Sequence, residues 1–315
     1  MTPHDIAVVG AGAFGTALAV VWSRGGAPVR LVARDGERAA AIREGGSRLP
    51  GIPLPPALDV ATEIGGANLV AYATPAQTFA EVVKDHPAGA VGLICAKGID
   101  AASARLLPDV ARERAAAPFA VLSGPGFAGE IARGLPTAMT LAADDPALAA
   151  RLAERLSDAR FRLYASGDPR GAAAGGALKN VAALACGMAR GLKLGASAEA
   201  ALATRAAREL SRLVVALGGR AETFSGLSGL GDLMLTCSSP QSRNFALGEA
   251  IGGGRERDGA LAEGAHTAAV AARLARDHEV ETPIIDAVVA ILDGRTTPAE
   301  AMDALMRRPL RGETD

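Results

Sequence analysis

The sequence predicts a two-domain chain: an α/β N-terminal domain on a mostly parallel, doubly wound sheet, followed by an all-α C-terminal domain. Three observations predict it. Short apolar runs alternate with helical stretches through the first half. A glycine-rich turn follows the first of those runs. Beyond about residue 168 only helical patterns remain. A length of 315 residues suits two domains of roughly 100–200 residues each.

The elements follow in order. Asp5–Val9, Val29–Ala33, Asn68–Thr74, Ala90–Ala96 and Phe119–Ser123 read as strands, and Thr137–Ala142 and Phe161–Ala165 as two more. They are continuously apolar rather than alternating, as expected of parallel strands buried on both faces. Helical stretches lie between them, at Ala13–Arg24 and Gly36–Glu44 for example, and Gly46–Pro56 is a loop by its proline and glycine content. The turn-like Ser166–Pro169 marks the boundary, giving domains 1–167 and 168–315. In the second, Gly171–Lys193, Ala196–Leu217, Gln241–Ile251, Glu263–Arg276, Pro283–Leu292 and Pro298–Met306 read as helices.

Composition excludes several classes. With 33 basic against 34 acidic residues, the net charge is −1, and no global field draws the chain to nucleic acid or anionic membrane. Any anion must be held by local cations and backbone dipoles. Cys95, Cys186 and Cys237 are scattered with no CxxC, and the four histidines form no HExxH, so neither disulfides nor a metal site is expected. No apolar run reaches the roughly 18–20 residues of a membrane span. The N-terminus lacks the pattern of a signal peptide, and a cytoplasmic setting is expected.

Gly10-Ala11-Gly12-Ala13-Phe14-Gly15 is a GxGxxG between a strand and a helix, the context that gives the motif meaning. Gly10 permits the tight turn, Gly12 lets backbone approach a pyrophosphate, and Gly15 lets helix and strand pack closely. The helix N-terminus adds free N–H groups and partial positive charge. The first domain is therefore Rossmann-like. About 20 residues on, where an acidic residue usually meets the ribose, stands Arg34 with Asp35 next to it. An arginine there suits a 2′-phosphate and favours NADP(H); Asp35 keeps NAD(H) open.

The helical domain carries candidate chemistry. Lys179 lies in a strongly apolar helix, where lost hydration lowers a lysine's pKa and suits it to proton transfer with an alkoxide; the bland alternative is a snorkelling lysine. Asn180 is placed to support it. Asp232 sits in the glycine-rich, apolar Gly226–Cys237, where a carboxylate needs a cationic partner or serves as a helix cap. Ser242, Arg243 and Asn244 at a helix start form a phosphate cradle, or simply a capped helix with an exposed arginine. Arg205 and Glu209, at i and i+4, read as a structural ion pair. Lys97 and the Ser123–Ala128 segment fall at the carboxyl ends of strands, the edge where open α/β sheets bind ligands.

Taken together, GAGAFG at the start, CAKGI at 95–99, LSGPGFAGE at 122–130, GALKNVAALACG at 176–187 and TFSGLSGLGDLMLTCSSPQSRN at 223–244 make the chain resemble the bacterial-type NAD(P)-dependent glycerol-3-phosphate dehydrogenases nearly end to end. The resemblance implies reduction of dihydroxyacetone phosphate to sn-glycerol 3-phosphate for glycerophospholipid synthesis, and a homodimer. It implies Lys179 as acid/base, with Asp232 beside it, and Lys97, Gly124, Gly126, Asn180, Asp232, Ser242, Arg243 and Asn244 as substrate contacts. It implies Gly10, Gly12, Ala13, Phe14, Gly15, Arg34, Lys97, Ala128, Arg243, Leu261 and Glu263 as cofactor contacts. The chain departs from the family pattern where Ala13-Phe14 replaces Ser-Trp and Gly126 replaces a serine, and it lacks the Asn and Tyr usual before the LPGI stretch. Two other readings stay open: a relative acting on 3-hydroxy acids or ketopantoate, and a non-catalytic NADP-binding sensor. Adjacent Lys179 and Asn180 weigh against the first, and retention of Lys179 and Asp232 against the second.

Overall fold

The computed structural model describes residues 5–255, 263–309 and 312. Among the described residues ten strands form, at Ile6–Val9 (β1), Val29–Val32 (β2), Asp59–Ala61 (β3), Leu69–Tyr72 (β4), Val91–Ile94 (β5), Ile99–Asp100 (β6), Arg105–Leu106 (β7), Phe119–Ser123 (β8), Thr137–Ala143 (β9) and Phe161–Ser166 (β10). The helices of the first half are Ala13–Arg24 (α1), Gly36–Arg43 (α2), Ala76–Val82 (α3), Leu107–Arg114 (α4), Ala128–Ala132 (α5) and Pro146–Leu156 (α6). Those of the second are Pro169–Gly191 (α7), Ala196–Ala216 (α8), Ala221–Phe224 (α9), Asp232–Ser238 (α10), Arg243–Gly252 (α11), Glu263–Asp277 (α12), Pro283–Leu292 (α13) and Pro298–Met306 (α14).

Residue contacts divide the chain into two compact units, one of Met1–Ala177 with Leu217–Asp232, the other of Leu178–Ala216 with Leu233–Asp315. The first holds the expected mostly parallel sheet, in the order β10-β9-β8-β5-β4-β1-β2-β3, with β8 and β9 its antiparallel pair. The strand order reverses at β1, which lies between β2 and β4, so a crevice opens past the carboxyl ends of β1 and β4. β1, β2 and β4 are buried along their whole length, which is why they read as unbroken apolar runs. β3 escaped the sequence reading because it is three residues long and carries Asp59. Its partner is polar too: buried Arg30 on β2 donates to Asp59 at 2.7 Å. α7 starts two residues before the expected Gly171, inside the segment read as a turn. Pro169 opens it and buried Asp168 caps it, accepting the Gly171 N–H at 2.8 Å and the Arg220 N–H at 2.8 Å. α7 is long and apolar enough to cross a membrane, yet 94 % of its most apolar stretch is buried within the protein, as in a core helix.

In the second unit, α7 and α11 cross with almost no side chain between them. A Cβ on Gly187 would lie 2.1 Å from the Phe245 carbonyl oxygen, and one on Gly248 would lie 2.2 Å from that of Leu184. Gly191 and Gly252 repeat the arrangement one turn further along, so the seam needs glycine on both helices. Elsewhere in this unit the expected Arg205–Glu209 pair does not form. Glu209 is buried and reaches across to α13, accepting the Ile284 N–H at 3.0 and 3.1 Å and the Ile285 N–H at 3.4 Å. It caps a helix whose own N-cap residue, Thr282, provides no side-chain cap. Burial pushes its carboxyl up from 4.5 to about 7, with the two N–H groups and Arg212 opposing that rise.

Two predictions follow from this packing. Gly187→Ala forces backbone apart and lowers stability by about 1–3 kcal/mol, seen as a lower melting temperature. Glu209 has a folded pKa above its unfolded one, so its contribution is complete below about pH 4.5 and is lost as pH rises through about 7. The loss is about 3 kcal/mol. Melting temperature measured from pH 5 to pH 8 therefore falls in the native protein, and Glu209→Gln, which keeps an acceptor for Ile284, flattens that fall.

Candidate active site

In the sheet unit, the turn after β1 is built for close approach. Gly10 has φ +109°, and a Cβ there would meet the Ala73 carbonyl oxygen, just past β4, at 2.7 Å. Gly15 leaves no more room: a Cβ would sit 2.0 Å from the Gly10 carbonyl oxygen. Gly12, by contrast, faces open space and is the N-cap of α1 without a side-chain cap, so the N–H groups of Ala13 and Phe14 head a helix with room before it. The adjacent Thr74 hydroxyl is buried with no hydrogen-bond partner. A pyrophosphate fits this cradle, which offers donors and excludes no volume.

At the tip of β2, Arg34 is 84 % exposed and its Nε donates to Asp35 at 2.8 Å. Asp35 is committed to structure. It caps α2, accepting the Arg38 N–H at 2.7 Å, and that bond, then Arg34, holds its carboxyl below the usual range. Both carboxylate oxygens are engaged, while Arg34 extends into solvent.

At the same edge of the sheet, Lys97 follows β5. Its Nζ donates to the Gly124 carbonyl at 2.9 Å and to Asp232 at 2.6 Å, and lies 5.9 Å from the centre of the Phe14 ring. Asp232 is 2 % exposed, so the pair is buried on the acid's side. Gly124, at φ +151°, lies against the Met139 backbone, 2.9 Å from a Cβ added there. Gly126 and Ala128, the first residue of α5, follow on the same segment, and the Ser123 hydroxyl ahead of them is buried without a partner. The glycine-rich stretch before Asp232 is not the loop that its composition suggests. Leu227–Gly231 winds as a π-helical turn and Asp232 is the first residue of α10. The crowding is local: Gly229 lies against the Phe224 carbonyl five residues earlier, where a Cβ would sit at 2.1 Å, so this tight turn needs glycine despite glycine's poor helix propensity.

In the helical unit, Lys179 is 7 % exposed and does not snorkel; its Nζ donates to Thr236 Oγ1 at 2.6 Å. Thr236, four residues beyond Asp232, is a site residue the sequence reading missed. An i, i+4 relation exposes it once α10 is recognised as a helix. Asn180 turns to another partner. Asn244 Nδ2 donates to Asn180 Oδ1 at 3.0 Å, and the Gly264 N–H donates to Asn244 Oδ1 at 2.8 Å, so three helices share one buried amide chain. Ser242 caps α11 through the Phe245 N–H at 3.2 Å, and exposed Arg243 is the first residue of that helix. Glu263 opens α12; Leu261 lies outside the described residues.

Chemically, the sheet unit offers a dinucleotide cradle with a cation beside it, and the helical unit a desolvated ammonium and a helix N-terminus bearing a guanidinium. Comparison with known proteins agrees. Models of the N-terminus and of the C-terminus of NAD-dependent glycerol-3-phosphate dehydrogenase match residues 5–149 and 168–303. A glycerol-3-phosphate dehydrogenase [NAD(P)+] from Agrobacterium fabrum is 49 % identical over 99 % of this chain and all of its own. One from Mesorhizobium japonicum is 50 % identical over 98 % of this chain and 94 % of its own. The crystal structure of glycerol-3-phosphate dehydrogenase from Coxiella burnetii superposes with a TM-score of 0.92 at 36 % identity, covering 97 % of this chain and 99 % of the other. Matched in both halves and along nearly its full length, the chain belongs to the bacterial-type NAD(P)-dependent glycerol-3-phosphate dehydrogenase family.

Proposed function

We propose that this chain reduces dihydroxyacetone phosphate to sn-glycerol 3-phosphate, reversibly, with NADP(H) preferred over NAD(H). The observation that carries the reading is Lys179, an ammonium withdrawn from water in an apolar helix and held by the Thr236 hydroxyl. The reduced nicotinamide supplies hydride when bound. Lys179 delivers a proton to the C2 oxygen as that oxygen gains charge, and takes it back in the reverse direction. Arg243 at the α11 N-terminus, with Ser242 and Asn244, holds the substrate phosphate by guanidinium and helix-end N–H groups. Lys97 and Asp232 hold the substrate's hydroxyl end, with Gly124 and Gly126 offering backbone N–H.

Residues 1–167 are the cofactor-binding domain in this reading and 168–315 the catalytic and substrate-binding one. The Gly10–Gly15 turn takes the pyrophosphate, and Ala128, Glu263 and Leu261 complete the cofactor contacts. Arg34 selects the 2′-phosphate, since Asp35 has both oxygens engaged and is poorly placed to accept from ribose. The family resemblance supports a cytoplasmic homodimer whose product feeds glycerophospholipid synthesis.

Lys179→Ala lowers turnover with NADPH and dihydroxyacetone phosphate by about 10²–10⁴-fold while leaving the circular dichroism spectrum unchanged. Turnover within a few-fold of the native enzyme would remove Lys179 from the chemistry. Arg34→Ala raises KM for NADPH by about 10–100-fold, the worth of a charge-assisted contact, and leaves KM for NADH nearly unchanged. Equal losses with both cofactors would show that Arg34 does not read the 2′-phosphate.

A further inference from the structure

Helix α8 carries a row of charge that the reaction does not use. Arg205, Arg208 and Arg212 recur at i, i+3 and i+7 and so share one face of the helix. Glu209 gives its oxygens to the α13 backbone, and exposed Arg205 makes no hydrogen bond or ion pair with the described residues.

The row borders a cavity of about 680 Å³, inside the range of roughly 300–1,000 Å³ typical of small-molecule sites. Its apolar lining comes from Leu202 of α8, Ile284 of α13, and Met302, Leu305 and Met306 of α14. All of these residues belong to the helical unit. Of these lining residues, Met306 is 78 % exposed. Arg308 also lines the cavity, 3.4 Å from Glu281. The walls thus carry four guanidinium groups against the two carboxylates of Glu209 and Glu281, and the excess is positive.

A cavity lined by apolar side chains and by an excess of guanidinium groups selects for both properties in one ligand. A small polar anion would leave the Leu and Met side chains wet. A neutral hydrocarbon would gain nothing from the arginine row and would tend to strip it of water. Methionines suit a flexible aliphatic chain, since their unbranched thioethers adapt to its shape.

We propose that this cavity is a binding site for a single-chain amphipathic anion of the aliphatic carboxylate class, its head on Arg205 and its chain along Leu202, Met302 and Leu305. The site is separate from every residue assigned to the dehydrogenase reaction, so it stands or falls independently of that reading.

Titration calorimetry of the full chain with dodecanoate below its micellar concentration tests it, with dodecyltrimethylammonium as the control of equal chain and opposite charge. One dodecanoate binds saturably per chain in the micromolar range, and the cationic control does not. Arg205→Glu weakens that binding about tenfold or more, and Leu305→Trp, which fills the trough, abolishes it. Both variants retain native turnover with dihydroxyacetone phosphate and a native circular dichroism spectrum. Arg205 is exposed, so Arg205→Glu keeps the test decisive even if Leu305→Trp folds poorly. Equal binding of both amphiphiles, no saturable binding, or binding indifferent to Arg205→Glu overturns the proposal. So does a wild-type chain that ignores dodecanoate while Leu305→Trp turns a dimer into a monomer on sedimentation, which would make the face a contact between two copies.

Discussion

The ammonium of Lys97 is the point on which the sheet unit converges. It bonds the carbonyl that ends the β8 segment and a carboxylate 135 residues further along the chain. Burying an ion pair costs several kcal/mol per ion in lost hydration, and only good geometry and further hydrogen bonds offset that cost. Here the offset comes from a 2.6 Å contact and from the Gly124 carbonyl. Removing either charge would strand the other. This pairing also helps explain why Leu217–Asp232, far along the chain, belongs with the sheet and not with its sequence neighbours. The chain returns to deliver one acid, and the π-helical turn before Asp232 is the local distortion through which it does so.

How much of this the sequence reveals depends on whether a signal is local. The parallel strands are legible because burial on both faces leaves them unbroken apolar runs, and the GxGxxG because its whole pattern lies within six consecutive residues, even though the wall that Gly10 answers to is Ala73. β3 is not legible, since a three-residue strand stabilised by the Arg30–Asp59 pair has neither length nor apolar pattern. The helical start of α10 is hidden for a different reason. Glycine density argues for a loop, whereas here glycine is what lets the backbone close on the Phe224 carbonyl. Reading Asp232 as a loop residue then hides Thr236, because the relation between them is a helical one. Arg205 and Glu209 show the reverse error. Their spacing permits an ion pair, but a distant helix end competes for the carboxylate and wins.

The near-neutral total of −1 conceals how positive charge is distributed. Arg34 stands out from the sheet unit, Lys97 is neutralised within it, Lys179 is sheltered by a hydroxyl, and Arg243 heads a helix. Four cations thus occupy four distinct dielectric settings, and each has a different strength toward an anion. Exposed Arg34 acts on an anion through water, which screens it. Lys179 and Arg243 lie closer to low-dielectric protein or to helix-end dipoles, where the same unit charge acts more strongly.

The glycine seam between α7 and α11 bears on motion as well as on packing. Side chains between helices act as compliant spacers, because rotamer changes let one helix slide past another. Where backbone meets backbone at Gly187, Gly191, Gly248 and Gly252, that compliance is missing. α7 and α11 then move as a single stiff element, further pinned by the amide chain from Asn180 through Asn244 to α12. The distance from the Lys179 ammonium to the α11 N-terminus is therefore a machined length in this protein. It resembles the fixed gap of a gauge block more than the adjustable jaw of a clamp.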